Sequence, residues 1–219
     1  MADLHITLGN KRYSSWSMRP WLALKATGLP FTEQVYCLGS DEMNNWLATH
    51  SPNRKVPLLQ HGDLKIWDSL AIIEYLAELA PEAGLWPKDR EARAIARSVS
   101  AEMHSGFQPL RQNLGMNVAR TYPGFAVPEA AQADVDRIQS LWTECLRKYG
   151  ANGDGPFLFG AFSAADCMYA PVVTRFVTYD VKLTPECQAY VDAMLAQPFV
   201  AEWIASGNAE PWVVEKYEL

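Results

Sequence analysis

Cysteine is scarce in this chain and scattered: Cys37, Cys145, Cys167 and Cys187 in 219 residues, with no CxxC pair among them. Four such residues exclude the disulfide framework of a small secreted domain, and no spacing matches a zinc or other metal site. A reducing compartment is expected. Met-Ala-Asp at the start does not read as a signal peptide, so the cytoplasm is the expected location. Long apolar runs are also missing. The longest uncharged stretch, Gly155 to Ala165, falls well short of the roughly 18 residues that span a bilayer. Positive charge is in deficit, with 19 Lys and Arg against 25 Asp and Glu and a net charge of -6. No Lys/Arg cluster is interleaved with aromatics, which argues against nucleic acid as a partner. Repeats and low-complexity tracts are lacking. The histidines His5, His50, His61 and His104 share no spacing with an acid or a cysteine that would make a triad or a metal site.

Apolar material is what the chain does have. Hydrophobic residues make up 49%, enough for one large or two small cores, and the patterning favours two. Leu4, Ile6 and Leu8 alternate with His5 and Thr7 as in a half-buried strand. Trp21, Leu22, Leu24 and Lys25 form a short helix stopped by Gly28, and Thr32 to Leu38 is a second strand, parallel to the first across that helix. Residues 39–55 read as a polar loop with one irregular helix anchored by Trp46 and Leu47. Val56 to Gln60 and Leu64 to Trp67 are short strands joined by His61-Gly62-Asp63, the turn of an antiparallel hairpin. Asp68-Ser69 opens a helix whose inward stripe is Ile72, Ile73, Leu76 and Ala80, and Pro81 ends it.

Beyond the Pro-, Gly- and charge-rich stretch Glu82 to Asp89, anchored by Leu85-Trp86-Pro87, strand patterns vanish. Arg90 to Arg111 and Glu129 to Tyr149 read as two long antiparallel amphipathic helices, and Gly150 to Gly160 as a loop. Ser163 and Asp166 have capping-box spacing ahead of the apolar run Cys167 to Val177, with Asp where Glu or Gln is usual. Pro185 to Ala196 and Phe199 to Ala205 complete the helices, and Pro211 to Leu219 shows no pattern. The predicted fold class is α/β plus all-α: a βαβ-ββα domain over 1–81 and an all-helical domain over 90–219.

The turn Tyr13-Ser14-Ser15-Trp16-Ser17-Met18-Arg19-Pro20-Trp21 joins the first strand to the first helix and carries three hydroxyls. A helix N-terminus with serine beside it suits an anion such as a thiolate. Serine also caps helices for structural reasons alone, and on the turn alone capping is the simpler reading. With Ser17 as cap, Pro20 falls at the third helical position and removes no intrahelical donor; an earlier cap makes it distort the first turn.

Taken in order, these elements resemble the glutathione S-transferases along essentially the whole chain. Ser14-Ser15-Trp16-Ser17-Met18-Arg19 is similar to the SSCSxR signature of the zeta class. Lys55-Val56-Pro57-Leu58-Leu59 looks like the family's glutathione loop with its cis-proline, Asp68-Ser69-Leu70-Ala71-Ile72 like its ESxAI element, and Ser163 to Asp166 like its helical capping box. The resemblance implies a thioredoxin-like first domain and a substrate-binding second one. It implies a serine hydroxyl that donates to the sulfur of glutathione, so that a thiol of pKa about 8.5 ionises nearer neutral pH and attacks an electrophile. Ser14 is the expected donor, five residues before Arg19, with Ser15 and Ser17 as alternates.

Val56 would meet the cysteinyl backbone, with Pro57 holding the turn; Lys55 would meet the glycyl carboxylate, Ser69 the γ-glutamyl carboxylate and Asp68 its amine. Asp68-Ser69 also reads as an ordinary cap, and both roles can hold. Trp16, Arg19, His104 and Gln108 are candidates for the co-substrate pocket. Gln108-Pro109-Leu110 followed by Asn113-Leu114 looks like the zeta QPLQNL stretch with one residue more, although Gln108 reads equally as a helix break before Pro109. Two departures stand out: Trp16 replaces the cysteine tied to maleylacetoacetate isomerisation, and Asp68 replaces a glutamine. The expected activity is glutathione transfer to a small electrophile by a homodimer, with glutathione as co-substrate and no metal. The alternatives are isomerisation of the maleylacetoacetate or maleylpyruvate type and a non-catalytic glutathione-binding module.

Overall fold

The computed structural model describes residues 3–151 and 155–219. Residues 152–154 of the expected loop, and the first two residues of Met-Ala-Asp, lie outside the described residues.

A four-stranded sheet organises the first half. Its strands are β1 (Leu4–Gly9), β2 (Phe31–Tyr36), β3 (Leu58–His61) and β4 (Leu64–Trp67), in the order β2-β1-β3-β4. β2 runs parallel to β1, and β3 is antiparallel to both β1 and β4. Helix α1 (Ser15–Thr27) crosses from β1 to β2 and packs beside α3 (Ser69–Leu79). Gly28 ends α1 in the left-handed region at φ 68°, with its N–H on the Lys25 carbonyl, a conformation that glycine adopts without strain. The inward stripe of α3, Ile72, Ile73 and Leu76, is wholly buried.

The second half holds α4 (Arg90–Ser105), α5 (Gln108–Asn113), α6 (Glu129–Cys145), α7 (Ala164–Thr178), α8 (Pro185–Ala196) and α9 (Pro198–Ala209). Buried along nearly all its length, α7 packs against α1 on one side and α4 on the other, so one continuous apolar core crosses both halves. The capping box forms at its start: Asp166 accepts from the N–H and the hydroxyl of Ser163, both at 2.8 Å, and also from Leu158 N–H and the Tyr190 hydroxyl. Surface ion pairs mark the direction of α4 against α6. Glu102 meets Arg137 at 2.7 Å and Glu91 meets Lys148, just beyond α6, at 2.7 Å, so the two run antiparallel.

Four local expectations need correction. Residues 41–50 form a regular helix, α2 (Asp41–His50), because Ser40 accepts from Met43 N–H and caps it. The helix expected over 90–111 breaks at Gly106-Phe107, where Phe107 turns into the left-handed region at φ 57° and buries its ring, and Pro109 falls in the first turn of α5. Helix α1 starts at Ser15, with Ser14 and not Ser17 in the cap position, which places Pro20 inside the helix. The Trp16 carbonyl then finds no donor at Pro20, yet the helix continues. Finally, the unpatterned tail is ordered by long-range bonds. The Arg12 guanidinium donates to the carbonyls of Gly207, Asn208, Glu210 and Trp212, and Glu218 accepts from Tyr13, Asn117 and Arg120.

Candidate active site

After β1 the chain turns through Asn10, whose carbonyl accepts from the N–H groups of Tyr13 and Ser14, and this turn aims the start of α1 at a cleft between the halves. The cleft measures about 630 Å³ and includes Ser14 and Ser15 on one wall and Arg111 and Arg175 on the other. The three serines separate by position. Ser14 lies in the cap position without capping; its Oγ is 2.8 Å from Ser17 Oγ, to which it donates. Ser17 is fully buried, accepts the Gly9 N–H at 3.0 Å and does not line the cleft. Ser15 is half-buried and does line it.

Lys55 and Val56 line the cleft opposite α2, and the Val56–Pro57 peptide is cis. Asp68 and Ser69 lie outside the cleft lining. Asp68 caps α3 from a left-handed backbone (φ 78°), with one carboxylate oxygen accepting from Leu70 and Ala71 N–H and the other 3.1 Å from His104 Nε2. Ser69 is 1% exposed, and its hydroxyl has no hydrogen-bond partner among the described residues. A buried hydroxyl left unpaired is unfavourable, so the position suits a polar ligand atom.

Trp16 reaches from α1 to the second half. Its ring lies edge-on to His104, with centroids 5.4 Å apart, and its centroid is 4.4 Å from the guanidinium carbons of both Arg19 and Arg111. Arg19 is wholly buried away from the cleft lining, and Gln108 is exposed at the start of α5, also outside it. Gln112 and Asn113, one turn further on, face the cleft instead.

Arg54, Arg111, Arg175 and Lys216 line the cleft without having been sequence candidates, and of these Arg175 left a signal in the sequence. It is the only charge in the apolar run from Cys167 to Val177, and a charge placed in an apolar run is costly unless it is paired or hydrogen-bonded. Its Nε donates to the Leu114 carbonyl at 2.7 Å. Burial, followed by the Arg111 charge, lowers its pKa to about 10, so it remains cationic at neutral pH. Burial, then Arg175 and Arg111, holds Arg19 well below its usual value. Three guanidinium groups therefore share one field. Among the described residues no group of His, Cys, Asp or Glu could hold a metal ion, and no helix is long and apolar enough to cross a membrane.

Two family models match this chain, the glutathione S-transferase N-terminal domain over residues 13–79 and its C-terminal domain over 122–205. The chain is 32% identical to a maleylacetoacetate isomerase of Rattus norvegicus over 78% of its own length and 77% of that protein. It belongs to the glutathione S-transferase family. A glutathione transferase homologue from Burkholderia, crystallised with bound glutathione, superposes with a TM-score of 0.72 at 27% identity, covering 95% of this chain and all of that one. A maleylacetoacetate isomerase from Anaeromyxobacter dehalogenans, with dicarboxyethyl glutathione and citrate in its active site, gives 0.65 at 25% identity over 96% and 98% of the two chains. The thioredoxin-like half followed by a helical half is thus the fold of this transferase family, and the cleft lies between its two parts.

Proposed function

We propose that this glutathione transferase takes an electrophile carrying a carboxylate, and that Ser14 activates the thiol. One observation carries the substrate class. Among the described residues, Arg54, Lys55, Arg111, Arg175 and Lys216 line the cleft against one acidic side chain, Glu218, in a chain whose net charge is -6. That acid is already taken by Tyr13, Asn117 and Arg120. Positive charge concentrated in a cleft of an otherwise acidic protein focuses the field on an anion. The Anaeromyxobacter relative, which holds a dicarboxyethyl group and citrate in its site, supports the same reading.

Glutathione lies with its cysteinyl backbone at Val56, its glycyl carboxylate at Lys55 and its γ-glutamyl carboxylate at the unpaired Ser69 hydroxyl, with its amine toward Asp68. Its sulfur meets Ser14. The two serine oxygens are 2.8 Å apart, and a hydroxyl pair at that distance can pass a proton's role from one to the other. When the thiolate arrives, Ser14 turns its O–H to the sulfur and Ser17 donates to Ser14 Oγ, while the Gly9 N–H keeps Ser17 oriented. Ser17 is then a positioning residue.

A second reading, isomerisation of a maleyl-type acid, is favoured by the same cations and by the name of the rat relative. In it the thiolate adds to the double bond, the carbon–carbon single bond rotates, and the thiolate leaves. A panel of maleylpyruvate and maleylacetoacetate analogues, chlorodinitrobenzene and organic peroxides separates the readings: product isomer without glutathione adduct supports isomerase, adduct supports transferase. Retention on glutathione-agarose without turnover would favour a binding module.

The assembly is a twofold dimer in the cytoplasm, with the domains divided at 81 and 90. Leu64 and Trp67 on β4 and Leu79 at the end of α3, exposed by 50, 44 and 37%, supply apolar surface for an isologous contact.

A further inference from the structure

Trp16 is the second residue of α1, and because helical side chains lean back toward the N-terminus, the one that reaches it comes from the residue three positions on. That residue is Arg19. Its guanidinium is wholly buried, with Nε on the Met168 carbonyl at 3.0 Å and no hydrogen-bond partner among the described residues for either terminal nitrogen. A buried cation with one hydrogen bond needs other compensation, and the indole ring 4.4 Å away supplies it, since an aromatic face attracts a weakly hydrated planar cation. The same ring takes Arg111 at 4.4 Å. Arg111 is fixed by the carbonyls of His104 and Gly106 at the end of α4. Trp16, Arg111 and Arg175 line the cleft, and Arg19 does not.

We infer that Trp16 is a specificity-determining residue: its indole seals Arg19 from the cleft and holds Arg111 in its wall, so an anionic co-substrate at this wall meets Arg111 and Arg175 but not Arg19. This rests on the reading that the cleft receives a carboxylate. A smaller side chain at position 16 would open two unpartnered N–H-bearing nitrogens to the ligand and add an anion contact beside Arg111 and Arg175 suited to a second carboxylate.

Succinate and acetate, as inhibitors of chlorodinitrobenzene turnover at saturating glutathione, test this. In Trp16→Ala the inhibition constant for succinate should fall about tenfold, or about 1.4 kcal/mol, with that for acetate little changed. Trp16→Phe, which keeps an aromatic face, should resemble wild type, and Trp16→Ala with Arg19→Met should lose the gain. Arg19→Met alone should leave succinate inhibition within about twofold of wild type, whereas Arg111→Met weakens it about tenfold. This pair decides the matter even if Trp16→Ala does not fold. The inference is overturned if Arg19→Met weakens succinate as much as Arg111→Met does, or if folded Trp16→Ala shows no gain. If Arg111→Met and Arg175→Met both bind succinate as wild type does, the carboxylate reading fails; a gain in Trp16→Ala that depends on Arg19 would still support the seal.

Discussion

At Ser14 the quantity that matters is the pKa of a bound thiol. Its hydroxyl lies on the cleft, and Ser17 lies beneath it with the Gly9 N–H behind. Ser14→Ala should raise the pKa of bound glutathione and cut turnover by about one to three powers of ten, as for loss of an anion-stabilising donor. Thiolate absorbance against pH measures this directly. Ser17→Ala should give a smaller shift in the same direction, because Ser14 keeps its proton but loses the partner that orients it. An equal or larger shift in Ser15→Ala would move the donor to position 15. Ser69→Ala should act on binding: glutathione affinity falls by roughly 1–3 kcal/mol while saturated turnover changes less. Isothermal titration of the tripeptide beside steady-state kinetics separates the two.

Among the elements, α7 carries the second half. Asp166 at its start is wholly buried, and burial raises its pKa to about 6 against four hydrogen-bond donors that lower it. A folded pKa above the unfolded value of about 3.9 means that the protonated acid favours folding. Its contribution is full below about pH 4, is lost as pH rises to about 6, and is flat beyond. The stability difference between wild type and Asp166→Asn, from urea unfolding, should therefore shift against wild type by about 1–3 kcal/mol across that window.

The start of α7 was legible because Ser163 and Asp166 are three residues apart and bond each other. Strands β1 to β4 and helix α3 were legible for a similar reason: their alternation and stripes are local. A break ahead of Pro109 was legible at Gln108, but its left-handed turn at Phe107 was not, because that turn is repaid by burying the ring in a core assembled from distant parts of the chain. A helix within residues 39–55 was legible from its anchors Trp46 and Leu47, but polar composition hid its regularity and its start at the Ser40 cap. Of the residues that line the cleft, Ser14, Ser15, Lys55 and Val56 could be read from motifs. Arg175 could have been read from its isolation in an apolar run. Arg111 could not, since nothing near it in sequence shows that it stacks on Trp16.

For the whole molecule, the cleft exists only once α1, α5, α7 and the strapped tail meet. Its charge is opposite to that of the chain. Self-association belongs to this scale as well: sedimentation at micromolar concentration should give a species of twice the chain mass, and Trp67→Glu should convert it to monomer by placing a charge in the apolar contact. A wild-type species of single mass would remove the dimer. The cationic cleft is tested most directly by one ratio, kcat/KM for a carboxylate-bearing electrophile over that for its methyl ester, in wild type and in Arg111→Met. The acid should be preferred by wild type, and the ratio should fall about tenfold in the variant, near 1.4 kcal/mol of lost transition-state binding. An ester turned over as well as its acid by wild type, with the ratio unmoved in Arg111→Met, would contradict the account.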